Sequence, residues 1–355
     1  MQRRMTALTV ALGLALVFAS SAALAQYTLT NLTSNQVRWA HNVDPLLVNG
    51  WGLVHGPGSP WWLSDENSGW STLYDGAGNI QGLKVVIPTA GNGPSSKLGL
   101  NGPGSPTGIV FNGSPEFRVG GGVSRFLFAT LDGTISAWPT TNFNQANIAP
   151  LQNQPKGASY TGLAITNKTS GNFLFAADMA NSQVEIFDAN FNFVKAFTDS
   201  TLPADFAPFG VRDINGIVYV TFASVSGASG GFVEQFREDG TPVNPGKPLI
   251  HGAPLNQPWG IAGAPSNFGP FSNTLLISNN TNTGTINAFD PFTGQFVGTL
   301  KHHDGRPIVI DQLWGIDFGD GLGKNGAPNQ LYFAAGPKNN LTGTFGVIEF
   351  KPDSD

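Results

Sequence analysis

A short pattern of hydrophobic residues around a glycine recurs along the chain. An aromatic residue or threonine comes first, then glycine, then an aliphatic residue. The six copies are Trp51-Gly52-Leu53, Thr107-Gly108-Ile109, Thr161-Gly162-Leu163, Phe209-Gly210-Val211, Trp259-Gly260-Ile261 and Trp314-Gly315-Ile316. Successive glycines are 48 to 56 residues apart. A period of this length is typical of repeat architectures in which each repeat forms one supersecondary unit.

Each copy of the pattern is followed by two further hydrophobic segments of strand length. The first is a short run of β-forming residues, such as residues 62–65 in the first repeat and 173–176 in the third. The second alternates polar and apolar residues up to an aromatic one, as in residues 184–187. Alternation with a period of two indicates half-buried antiparallel strands. Helical periodicity is rare, because glycine and proline interrupt most candidate helices.

Three clear strands and a variable fourth, repeated six times, predict an all-β fold: a single six-bladed β-propeller over residues 26–355. The fourth strand is visible in residues 83–87, 193–197 and 295–300. Only five residues follow Phe350, while residues 27–32 alternate and have no repeat of their own. We therefore predict that the N-terminal strand joins the last blade as its outer strand and closes the ring.

The first 25 residues predict a secretory signal peptide. Arg3 and Arg4 precede an apolar stretch over residues 6–18, and Ala23-Leu24-Ala25 supplies a cleavage site before Gln26. The apolar stretch is short for a membrane span. We therefore expect a secreted or periplasmic protein with no stable membrane anchor after cleavage.

Composition excludes several classes of function. The net charge is −5, so the chain offers no basic surplus to neutralise nucleic-acid phosphates. The absence of cysteine excludes disulfides, thiolate metal sites and cysteine nucleophiles. Hydrophobic residues make up 40% of the chain and include 26 phenylalanines, which is enough for a large core rather than a disordered chain.

Acidic and amide side chains in the predicted loops suggest a metal site. The loops that lead into the inner strands and those that join the second and third strands should lie on one face of the propeller. Asp65, Glu66, Asp178 and Asn279 stand there, and oxygen ligands of this kind suit a divalent cation such as Ca²⁺. The alternative is that these residues bond the local backbone of tight turns.

Tryptophans at equivalent repeat positions suggest a ligand site. Trp51, Trp259 and Trp314 begin predicted inner strands, and Asn49 and Gln257 stand two residues before the first two of them. We interpret them as an aromatic rim that stacks a ligand at the channel mouth. Packing between blades is the alternative. His55 directly follows the first inner strand. It can face the channel there, but for this histidine we favour the alternative of a plain surface or packing role.

Three segments carry a family resemblance. Residues 44–53 (DPLLVNGWGL), 313–319 (LWGIDFG) and 331–336 (LYFAAG) resemble a family of uncharacterised secreted bacterial β-propellers, some of which end in a PEP-CTERM sorting signal. This chain departs from them in residues 351–355, which carry no such signal. More distantly, the repeats are similar to NHL-type and gluconolactonase-like propellers, and the latter resemblance implies a metal-dependent hydrolase.

Two functional hypotheses follow. The first is a binding or interaction scaffold that holds a small molecule, glycan or protein through its loop face and central channel. The alternative is a lactonase- or esterase-like hydrolase, in which a cation in the channel mouth polarises the substrate carbonyl. Whether the protein is an enzyme stays open, since propellers support many unrelated functions.

Overall fold

The computed structural model describes residues 27–90, 104–141 and 143–352. Within them, six β-sheets form the blades of a six-bladed β-propeller, which confirms the predicted fold class. The predicted signal peptide lies outside the described residues. Among the residues described, no helix is long and apolar enough to cross a membrane.

The strands of each blade follow one another from the channel outwards. The inner strands are Gly50–Val54, Pro106–Phe111, Tyr160–Ile165, Phe206–Ile214, Pro258–Gly263 and Leu313–Phe318. The second strands are Trp61–Asp65, Gly122–Thr130, Leu174–Asp178, Ile217–Ser224, Leu275–Asn279 and Gln330–Ala335. The third strands are Trp70–Tyr74, Ile135–Pro139, Gln183–Phe187, Phe232–Arg237, Ile286–Phe289 and Thr344–Phe350.

The outer strands are shorter in most blades. They are Val85–Val86, Asn147–Ile148, Phe193–Phe197, Ile250–His251 and Phe296–Thr299, with Tyr27–Ser34 in the sixth blade. Arg118–Val119 pairs with the second strand of blade two, and Asn42–Val43 extends blade six. Helical structure in the described residues comprises a 3₁₀ turn over Gly269–Phe271 and one turn over Pro337–Asn340.

The recurring glycine lets the inner strands of neighbouring blades approach closely. A Cβ atom on Gly52 would lie 2.5 Å from the carbonyl oxygen of Thr107 in the next blade. A Cβ on Gly260 would lie 2.6 Å from the carbonyl oxygen of Trp314. Real Cβ atoms do not tolerate such distances, so a larger residue would push the blades apart. The pattern found in the sequence is therefore a requirement of the ring.

Buried hydroxyl groups also tie neighbouring inner strands together. Thr107 donates a hydrogen bond of 2.7 Å to the carbonyl oxygen of Tyr160, and Thr161 donates one of 2.8 Å to that of Phe209. In blade five, the Ser278 hydroxyl donates to the carbonyl oxygen of Trp314 at 2.6 Å. These bonds give the backbone carbonyl oxygens hydrogen-bond donors from the neighbouring blade.

The N-terminal strand closes the ring. Tyr27–Ser34 pairs antiparallel with Thr344–Phe350, from Tyr27 opposite Phe350 to Ser34 opposite Thr344, which confirms the predicted closure. The Tyr27 hydroxyl donates a hydrogen bond of 2.7 Å to the carbonyl oxygen of Phe268, outside its own sheet. Its ring lies 5.0 Å from that of Phe268, centroid to centroid, so the strand is anchored to blade five as well.

Candidate functional site

A cavity of about 430 Å³ occupies the channel at the end where the inner strands finish. Its wall contains the aliphatic residue of all six copies of the recurring pattern. These wall residues are Leu53, Ile109, Leu163, Val211, Ile261 and Ile316. Because all six blades contribute an apolar side chain at the same level, the cavity has a continuous apolar wall.

The other end of the channel is filled by four aromatic rings, which we call the aromatic plug: Trp51, Phe209, Trp259 and Trp314. The Trp51 and Trp314 rings stack with centroids 3.6 Å apart, and Phe209, from the blade opposite Trp51, lies 6.4 Å from it. Trp259 reaches from blade five to blade three and donates its indole N–H to the carbonyl oxygen of Thr161 at 3.0 Å. Rings from opposite blades therefore meet inside the channel.

The structure places the three predicted ligand-binding tryptophans in this plug. Trp51 and Trp314 are only 6% and 3% exposed, so in this structure they pack against other rings. Trp259 is partly exposed and also lines the cavity. A ligand-binding role for Trp259 remains a prediction, whereas Trp51 and Trp314 have their ring surfaces covered by protein.

Asn49, Glu66 and Trp314 are brought together by hydrogen bonds. The Trp314 indole N–H donates to Asn49 Oδ1 at 2.9 Å, and Asn49 Nδ2 donates to Glu66 Oε2 at 2.9 Å. Asn49 and Gln257 have φ of 53° and 51°, the left-handed conformation that Asn tolerates better than most residues. The side chain of Gln257 donates to the carbonyl oxygen of Ala228 at 3.1 Å. Both residues therefore position the loops that lead into inner strands.

The predicted metal ligands do not form one site. Asp65, Asp178 and Asn279 end the second strands of blades one, three and five. Asp178 accepts hydrogen bonds from the Ser159 N–H and Asn181 Nδ2, and Asn279 Oδ1 accepts one from the Asn256 N–H. In the part of the chain that the structure describes, no group of three or more His, Asp or Glu side chains could hold a metal ion.

The four predicted ligands thus offer no converging set of oxygens, and the cation stays a prediction. Local bonding accounts for most of their polar atoms, as the turn alternative expects. Asp65 is the exception, since its Oδ1 is buried and accepts no hydrogen bond. Burial raises the pKa of Asp65 well above its ordinary value, which favours a neutral carboxyl group there.

Two further buried acids occupy equivalent positions in third strands. Glu185 lies opposite Ala176 and Glu234 lies opposite Val220 in their sheets. Burial raises the pKa of Glu185 to about 7, and the nearby Asp178 acts in the same direction. Burial likewise raises the pKa of Glu234 to about 8, with a contribution from Asp199. The Tyr160 hydroxyl donates to Glu185 at 2.6 Å.

Charged side chains surround the open end of the cavity. Arg212 of blade four and Asp317 of blade six form an ion pair across the mouth, with Nη2 and Oδ2 2.7 Å apart. The neighbouring Asp213 accepts a hydrogen bond of 3.3 Å from the Gly216 N–H through Oδ1. Its Oδ2 is buried and has no hydrogen-bond partner. Burial raises the pKa of Asp213, which reflects this weak solvation.

His55 and Asp320 also stand at the mouth. His55 lines the cavity, and its Nδ1 lies 3.5 Å from Asp320 Oδ2. Although burial opposes it, hydrogen bonds from the N–H groups of Gly58 and Leu322 lower the pKa of Asp320. The Leu322 side chain is 73% exposed beside the mouth.

The ligand-binding and metal-binding residues predicted from the sequence lie at the plugged end of the channel. Of the charged or titratable residues at the open mouth, the sequence analysis had considered His55 alone. Arg212, Asp213, Asp317 and Asp320 were not among the candidates. One signal was available: Val211 and Ile316 are each followed directly by charged residues, at the point where an inner strand leaves the channel wall.

Comparison with known proteins supports the fold. No family model matches the chain. Two uncharacterized proteins of Acanthamoeba polyphaga mimivirus are each 28% identical over 93% of this chain, which covers 82% and 88% of their lengths. These relatives are viral, so the resemblance to secreted bacterial propellers is supported only at the level of fold.

Solved structures support the same fold. A glucose dehydrogenase matches with a TM-score of 0.54 and 12% identity, over 90% of this chain and 99% of its own. A protein of unknown function from Bacteroides thetaiotaomicron matches with a TM-score of 0.54 and 10% identity, over 91% and 76%. At such identities the likeness shows the fold alone. The class is the β-propeller.

Proposed function

We propose that this protein is a binding propeller that takes a small, largely apolar molecule into the channel cavity. The observation that carries the proposal is the cavity of about 430 Å³ with an aliphatic wall from all six blades and a charged mouth. Concave, mostly apolar sites of about 300–1,000 Å³ with a few polar groups are typical of small-molecule binding. The aromatic plug gives the cavity a floor.

The proposal extends to the cell compartment and to the other face. The signal peptide predicted in residues 1–25 supports export to the periplasm or beyond, as a protein without a stable membrane anchor. The loops at the plugged end, with Asn49, Gln257 and Trp259, are a second surface for a glycan or protein partner. A lactonase-like reaction has no supporting ligand set among the residues described.

Binding can be tested with N-phenylnaphthylamine, a neutral aromatic probe whose fluorescence rises in apolar surroundings. We expect a saturable increase with the purified protein. Val211→Phe places a ring in the cavity and should weaken binding by about tenfold or more, equivalent to about 1.4 kcal/mol. Leu163→Phe repeats the test from another blade.

The matched control is Val194→Phe, which makes the same change on an exposed outer strand. It should bind the probe as the unchanged protein does, and thermal unfolding should show that all variants are folded. Absence of saturable binding, or equal affinity of all variants, would contradict the proposal.

A further inference from the structure

We infer that the ligand of this cavity is an apolar amine, a molecule whose hydrocarbon body fills the aliphatic wall and whose ammonium group faces the mouth. The inference rests on the proposed function and specifies its ligand class. It is carried by the charges at the mouth and by the unsatisfied carboxyl oxygen of Asp213.

Negative charge exceeds positive charge among the side chains that line the cavity. Arg212 is the one Lys or Arg in the cavity lining, and the same lining contains three carboxyl groups, Asp213, Asp317 and Asp320. Its guanidinium is already paired with Asp317 at 2.7 Å. In the adjoining cleft, Lys168 is paired with Glu238 and is likewise committed. A ligand anion would add a further negative charge to this group, whereas a cation would offset one.

Among the three carboxyl groups of the cavity lining, Asp213 accepts the fewest hydrogen bonds. Asp317 is bonded to Arg212, and Asp320 accepts two backbone N–H groups and lies near His55. Asp213 has one long bond of 3.3 Å to the Gly216 N–H, while its Oδ2 has none. A buried carboxyl oxygen without a donor is unfavourable, and an ammonium group supplies both charge and N–H donors.

The position of Asp213 also suits this role. It lines both the apolar cavity and the adjoining cleft, so it stands where the aliphatic wall of Val211 gives way to polar residues. A molecule that buries its hydrocarbon body against Val211 and Ile261 can place its polar end beside Asp213. Asp213 as a whole is partly exposed, so its carboxyl group lies at the boundary between cavity and solvent.

Three probes with one hydrocarbon cage test the inference: adamantanamine, adamantanol and adamantanecarboxylate. Isothermal titration calorimetry near neutral pH should show the amine binding about tenfold more tightly than the alcohol, with the carboxylate weakest. Asp213→Asn should reduce the amine to the affinity of the alcohol and leave alcohol binding unchanged. Asp290→Asn, at an exposed turn of blade five, is the matched control and should change neither.

The outcomes separate the two proposals. If the alcohol binds but the amine gains nothing, the ligand class is wrong and the binding function stands. If none of the three probes binds, the proposed function itself fails. An amine preference that persists in Asp213→Asn would overturn the role of Asp213. Should that variant not fold, the amine-to-alcohol ratio of the unchanged protein must fall at high ionic strength, and a constant ratio contradicts an ion pair.

Discussion

At the scale of single residues, the tryptophans of the aromatic plug differ in how their indole groups are satisfied. Trp314 donates to Asn49, and Asn49 in turn donates to Glu66, so the ring is one end of a buried hydrogen-bonded chain. The indole nitrogen of Trp51 is equally buried but has no hydrogen-bond partner. The two stacked rings therefore differ in one respect: the indole N–H of Trp314 forms a hydrogen bond and that of Trp51 does not.

Trp314→Phe and Trp51→Phe test this difference. The first leaves Asn49 Oδ1 without its donor in a buried place and should lower the free energy of unfolding by about 1–3 kcal/mol beyond the loss of ring area. The second removes an N–H that bonds nothing and should lower it distinctly less. Urea unfolding of the two variants measures the contrast, and equal losses would show that the hydrogen bond is unimportant.

At the scale of strands, the inner strand of each blade both lines the channel and contacts the next blade. The aliphatic residue of the recurring pattern lines the cavity, while the glycine before it meets the next blade. Both properties come from one short segment, which explains why the pattern recurs in all six blades.

Gly260→Ala and Gly263→Ala in one inner strand test the role of the glycine. Neither glycine has a positive φ, so the two substitutions differ mainly in the space available for the added methyl group. A Cβ at Gly260 would lie 2.6 Å from the Trp314 carbonyl oxygen, whereas a Cβ at Gly263 would meet nothing within 4 Å. Gly260→Ala should lower the free energy of unfolding by about 2 kcal/mol or more. Gly263→Ala should change it by less than about 1 kcal/mol; a similar loss in both would refute the explanation.

Prediction of the outer strands was accurate in some blades and not in others. The third-blade outer strand matches its predicted bounds, Phe193–Phe197, and the closing strand begins at Tyr27 as expected. Residues 83–87 predicted a longer strand than the observed Val85–Val86. An outer strand has one neighbour to pair with, so its length depends on contacts that local alternation does not encode.

At the scale of the whole molecule, the sequence predicted the ring but not the mouth of its cavity. Arg212 and Asp317 are 105 residues apart and meet only because blades four and six face the same channel. The direction of the tryptophan rings was also undetermined, because a residue at the start of an inner strand can line a rim or fill the channel. Repeat spacing fixes neither property, since both depend on how the blades are tilted.

The stability of the ring should fall as pH rises through neutrality. The pKa values of Glu185 and Glu234 are about 7 and about 8 in the folded protein, above the ordinary value of 4.5. Between that value and the folded pKa, the folded state keeps its proton and the unfolded state releases it, so stability is lost as pH increases. Thermal unfolding midpoints should therefore decrease between about pH 5 and pH 8.

Substitution identifies the groups responsible. Glu185→Gln and Glu234→Gln should each flatten this decrease, because a neutral amide has no proton to release. Glu116→Gln is the control. Burial opposes ionisation of Glu116, but the hydrogen bonds that its carboxylate accepts from Gly171 and Asn172 together lower its pKa, so it does not share the raised pKa of the two buried acids. A slope unchanged by the two buried substitutions would contradict the assignment.

The closing strand has a consequence for how the chain is made. Tyr27–Ser34 is synthesised near the start, but its partner Thr344–Phe350 emerges near the end. Once Tyr27–Ser34 has been made, it lacks its partner until residues 344–350 follow, so the sixth blade cannot be finished before then. A prematurely terminated chain keeps two open sheet edges, which invite proteolysis and aggregation. Ring closure therefore distinguishes chains that contain both strands from chains that lack the second one.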